Sequence, residues 1–120
     1  MDTKQIALES SQAIKKLIET PRNINRNPTA YSLDQKSLEN LWNCLEKLRD
    51  TDQLQQIIIP FYGNPNLENV QATLNLIELL EYLYSKNAHL PILRALNDSI
   101  ITDFFENAAL SKNQGIKDKA

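Results

Sequence analysis

Glycine, histidine, cysteine and valine are nearly missing from this chain, and each shortage removes a class of chemistry. Among 120 residues there are two Gly (Gly63 and Gly115), one His (His89), one Cys (Cys44) and one Val (Val70). Phosphate-cradling loops need closely spaced glycines, and Gly63 stands alone. A zinc site draws four ligands mainly from Cys and His, and this chain offers two such residues. A serine or cysteine nucleophile would have to use His89 as its base, because no other histidine exists. A di-iron bundle site needs paired Glu-x-x-His motifs, which are absent, and Asp50-Thr51-Asp52 lacks the glycine and terminal glutamate of a calcium loop. One cysteine makes no internal disulfide, which is the cysteine usage of a cytoplasmic protein.

Charge of one sign is also lacking. Thirteen Lys and Arg are set against fifteen Asp and Glu, for a net charge of −2. Nucleic-acid binding needs a concentrated positive field, so only a local basic patch remains open. The N-terminus, Met1-Asp2-Thr3-Lys4-Gln5, has no signal-peptide pattern. The most apolar stretch, Leu74 to Tyr84, is broken by Asn75, Glu78 and Glu81, short of the roughly 20 apolar residues of a membrane span. The expectation is a soluble, cytoplasmic protein.

What is present is leucine and isoleucine, 18 and 12 residues. Leucine keeps its rotamer freedom in helices, while strands favour valine, threonine and aromatics. Helical spacing of apolar residues recurs along the chain. Ile6, Ala13, Ile14, Leu17 and Ile18 mark a helix from about Thr3 to Glu19, with Asp2 and Gln5 as a capping box. Thr20-Pro21 ends it. Pro21 to Ala30, with two prolines and three asparagines, reads as the longest internal loop. Ser32 with Gln35 offers a second capping box, and Leu33, Leu38, Leu41, Leu45 and Leu48 carry a stripe to about Arg49. Asp50-Thr51-Asp52 makes a capped break before residues 54–61, which read as a short helix or an extended run, with helix favoured because no second strand candidate exists to pair with them.

Gly63-Asn64-Pro65-Asn66 is a turn. Residues 67–85 form the strongest helix, apolar around more than half its circumference and therefore central. Lys86 and Asn87 mark its end. Pro91 suits a helix first turn, and residues 91–110 form one helix or two, depending on whether Asp98 or Ser99 caps a new start. The fold class is all-α: a compact bundle or orthogonal array of about five or six helices spanning residues 1–110 as a single domain. Residues 111–120 read as a polar, flexible tail.

The stretch from Pro60 to Leu96 resembles, in helical pattern, one armadillo- or HEAT-type unit. A Gly-Asn-Pro turn leads into the Leu67–Leu80 helix, followed by Asn87 and a Pro-initiated helix. It covers about a third of the chain, and no second copy recurs at the period of about 40 residues that a solenoid requires.

Three features carry the functional expectations. The first is the loop holding Arg22, Arg26 and Tyr31, able to grip an acidic peptide or a phosphate backbone. The second is Phe61-Tyr62 beside Gly63, either exposed interface anchors or a lid folded onto the core. The third is surplus apolar surface on the last two helical regions, which a second copy or a partner helix would cover. Glu78 and Glu81 share a face and read as a solvated strip, Cys44 as a small core residue, Trp42 as packing, and His89 as a loop or helix-start histidine. The leading expectation is a non-enzymatic helical interaction protein (a regulator, adaptor or assembly factor) that contacts another protein or itself as a homodimer. It would use no cofactor, no metal, no membrane and no small-molecule substrate. The alternative is a nucleic-acid-binding regulator using Arg22, Arg26, Lys15 and Lys16.

Overall fold

A computed structural model describes residues 3–20, 33–63, 69–86 and 88–110. Among them are six α-helices and no strand: α1 Thr3–Ile18, α2 Gln35–Leu45, α3 Thr51–Ile58, α4 Val70–Tyr84, α5 Leu90–Leu96 and α6 Ser99–Ala109. The chain is an all-α array, as its leucine and isoleucine patterning predicts. α1 packs on α2, α3 and α4, and α3 also packs on α5. No described helix is long and apolar enough to cross a membrane.

The helix boundaries follow short polar side chains. Asp50 caps α3 by accepting from the amides of Asp52 and Gln53 at 2.9 and 3.4 Å. The alternative of an extended segment at 54–61 is settled in favour of helix: α3 runs to Ile58 and hands over to a single 3-10 turn, Ile59–Phe61. Pro60, which has no amide to donate, sits where the helix changes type. Residues 91–110 form two helices, because Asp98 leaves the helical region and accepts from the Ile100 amide at 2.8 Å to start α6.

Three boundaries differ from expectation. The cap of α2 is Asp34, whose carboxylate accepts from the Ser37 amide, rather than Ser32. α2 also stops at Leu45 instead of Arg49. Its apolar stripe outlasts it, because the Lys47 and Leu48 amides bond three residues back and keep Leu48 turned into the core at 1% exposure. The central helix starts at Val70 rather than 67, since extended Asn69 caps it through the Ala72 amide at 3.1 Å. The expected capping box at Asp2, the loop at 21–30 and the tail at 111–120 lie outside the described residues.

α4 is the centre of the molecule. Every residue from Thr73 to Leu80 is buried, so neighbours surround it on all sides. Each buried Leu or Ile there contributes about 1.5–3 kcal/mol relative to exposure. Its polar residues fasten other segments to it. The Asn75 amide nitrogen donates to the carbonyls of Ile18 and Thr20 at 3.0 and 2.9 Å, closing the open end of α1 from a distance. The Glu78 carboxylate accepts from the Leu33 amide at 2.7 Å, holding the entry to α2. The Tyr62 hydroxyl donates to the Leu76 carbonyl at 2.8 Å, holding the turn after α3.

Candidate functional site

The register of α2 decides which of its residues reach the surface. Leu38, Leu41 and Leu45 face the core, which leaves Trp42 at the edge of the stripe, half-buried. Opposite it, the end of α4 presents Tyr82 and, just past the helix, Lys86, whose amide bonds to the Leu83 carbonyl at 3.0 Å. An ammonium beyond a helix C-terminus sits in the favourable end of the helix dipole. The Lys86 nitrogen lies 4.8 Å from the Tyr82 ring centroid and 5.7 Å from that of Trp42. Both distances are within cation–π range. Trp42, Glu46, Arg49, Lys86, Ala88 and His89 line a cleft of about 280 Å³ between α2 and the α4–α5 junction.

His89 forms the back of this cleft and is only 7% exposed. Its Nδ1 accepts from the Ile92 amide at 3.2 Å, capping α5, and its Nε2 lies 3.2 Å from the Glu46 carbonyl oxygen. A neutral ring with its proton on Nε2 satisfies both bonds, one as acceptor and one as donor. The ring also meets Trp42 edge-on, with centroids 5.2 Å apart and planes at 80°. His89 is thus a helix-start residue that staples α5 to the end of α2. Substituting His89→Ala should lower unfolding free energy by about 2 kcal/mol, from the lost cap and the lost Glu46 bond. His89→Asn should recover about 1 kcal/mol of that, since asparagine caps well but is too short for Glu46. Denaturant titration of the two variants checks both values.

Of the five residues expected to bind a partner, Arg22, Arg26 and Tyr31 lie outside the described residues. Phe61 is half-buried against the core. Tyr62 is core rather than surface, 1% exposed and edge-on to Phe104 at 5.0 Å. Burial pushes its phenol well above the ordinary value, with Tyr84 nearby adding to the rise. The structure therefore resolves the Phe61-Tyr62 pair, for its second member, as packing inward.

Two other expectations change. Glu78 is not part of a solvated strip: it is 2% exposed and holds the Leu33 amide, while Glu81 is half-buried. The broad apolar faces of α4 and α6 are largely consumed internally, by the all-round burial of α4 and by Ile101, Phe104 and Ala108 of α6. The large apolar side chains left exposed (Leu8, Tyr84, Leu90, Ile100 and Leu110) are distributed over four helices and the residue after α6. Cys44 is half-buried against the core, and no three described His, Cys, Asp or Glu residues are placed to hold a metal.

Larger hollows exist beside α1, one of about 380 Å³ against α2 and one of about 330 Å³ against α3. Neither is lined by an aromatic ring, and each carries a single lysine as its only cation. The Trp42 cleft combines aromatic and cationic groups that sequence reading did not bring together. Trp42 at the edge of its stripe and the four-residue spacing of Tyr82 and Lys86 were readable. Their meeting across 40 or more residues was not. Compared with protein-family models, curated protein sequences and solved structures, the chain has no significant match.

Proposed function

We propose that this chain is a non-enzymatic helical interaction protein, working by protein–protein contact in a reducing compartment, and that the Trp42 cleft is its contact site. The observation that supports the reading is a half-exposed indole with Lys86 over its ring, in a cleft that Arg49 also lines. Arg49 and Lys86 carry no ion pair among the described residues, and Lys86 is instead held over two rings. Trp, Tyr and Arg are the side chains that dominate binding energy at protein interfaces. Four buried polar side chains, meanwhile, are engaged with backbone: Asn75, Glu78, Tyr62 and His89 all spend hydrogen bonds on other segments of the chain.

The test compares capture by the intact chain with capture by Trp42→Ala and by the double variant Arg49→Glu, Lys86→Glu. Proteins retained by the parent and depleted in both variants are the expected result, with light scattering of the pure chain reporting whether a second copy is the partner. Identical capture by all three, or turnover of a substrate by the pure chain, overturns the reading. Salt-sensitive binding of DNA or RNA that involves Lys15 and Lys16, both exposed on the last turn of α1, would transfer it to nucleic acid.

A further inference from the structure

We infer that the Trp42 cleft takes an acidic peptide segment with an apolar side chain beside its carboxylates. This rests on the interaction reading above and names the chemistry of the partner. The apolar side chain would lie on the Trp42 indole, and the carboxylates on Arg49 and Lys86.

The cleft is open and of about 280 Å³, near the lower end of small-ligand pockets, which gives room for a peptide side chain or two. Electrostatics argues for carboxylates. The planar Arg49 guanidinium matches a carboxylate through paired N–H bonds. The Lys86 ammonium is already fixed at the rim by the Trp42 and Tyr82 rings, which do not neutralise it. A pre-positioned charge loses less side-chain freedom when its counter-ion arrives.

Other occupants fit less well. Glu46 lines the same cleft, and its carboxylate repels a doubly charged phosphate more strongly than a singly charged carboxylate at the same distance. The chain's own residues 111–120 carry three lysines and one aspartate, the wrong sign for this surface. His89 contributes shape only, since both ring nitrogens are engaged with backbone.

Trp42 is the chain's sole tryptophan, so its emission reports directly on the cleft. The intact protein is titrated with a nine-residue Glu-rich peptide carrying two Leu, with the same peptide in which Gln replaces Glu, with single-stranded DNA and with inorganic phosphate. The acidic peptide should shift the emission saturably, and the Gln peptide should bind about tenfold more weakly or worse. The double variant Arg49→Gln, Lys86→Gln should fold with unchanged circular dichroism and lose affinity by a similar factor, while Lys86→Arg should retain it. Equal binding of the Gln peptide, tighter binding of DNA or phosphate, or a flat titration overturns the inference. A flat titration together with Trp42-dependent capture of a protein defeats only the acidic chemistry. A flat titration with capture independent of Trp42 defeats the interaction reading as well.

Discussion

Replacing Tyr62 by alanine should lower the unfolding free energy by about 4 kcal/mol, among the largest losses any single change in this chain can cause. The residue is fully buried, packs edge-on against Phe104 and donates to the Leu76 carbonyl, so truncation removes a core aromatic and a fastening bond together. Tyr62→Phe separates the two contributions. It keeps the ring and loses only the hydroxyl, at a cost of about 1 kcal/mol. Urea denaturation of the three proteins measures both steps.

The same pair makes a pH prediction. Burial raises the Tyr62 phenol well above its ordinary value of 10.0, so the native state keeps a proton that the unfolded chain releases. The corresponding stability is complete below pH 10 and declines as pH rises above it, by about 1.4 kcal/mol per pH unit until the native phenol titrates. Tyr84 is raised in the same direction by burial but is 42% exposed, and it adds less. Lysines titrate in the same range, so the informative quantity is the difference between the parent and Tyr62→Phe. That difference, about 1 kcal/mol in favour of the parent at neutral pH, should shrink above about pH 10 and reverse sign by about pH 11.5. A constant difference would mean that the phenol is not shielded from water.

The second large effect is expected from one of the smallest chemical changes. Asn75→Asp should destabilise the protein by about 3–5 kcal/mol, because it places a charge at a buried site with no compensating donor from α1. The amide nitrogen of Asn75 donates to two carbonyls, Ile18 and Thr20, and the residue is 1% exposed. A carboxylate there would face two carbonyl oxygens instead. Asn75→Ala, which removes the donors without adding charge, should cost about 1–3 kcal/mol. Thermal and chemical unfolding of both variants tests the order. If the aspartate variant is no worse than the alanine variant, the link between α4 and the end of α1 is not formed as described.

These effects share a physical origin. α4 is surrounded by the rest of the chain, and its buried Asn75 and Glu78 bond to the backbone of distant segments. A residue such as Glu78, placed one helical turn from Glu81, looks like half of a surface pair until its neighbours are known. Once the segment entering α2 covers it, burial without a partner would cost several kcal/mol, and the Leu33 amide supplies that partner.

Local order was legible in the residues alone. Helix type follows from apolar spacing, and Asp50, Asp98 and Pro91 mark starts that depend only on nearby backbone amides and dihedrals. Even the central place of α4 is encoded, because a helix apolar on most of its circumference needs neighbours on most sides. Where two signals competed within a few residues, pattern failed. Asp34 rather than Ser32 caps α2, and Asn69 places the start of α4 three residues late.

Only tertiary structure decided the roles of the polar side chains. Periodicity states which residues share a face, but it does not state what that face meets, and the backbone groups that Asn75, Glu78, Tyr62 and His89 reach in other segments lie 14 to 57 residues away. The assembly of Trp42 from the last turn of α2 and Arg49 beyond it with Lys86 just past α4 belongs to the same class of fact. It arises when the ends of two helices distant in sequence come within side-chain reach, and long-range packing is what a one-dimensional pattern leaves unspecified.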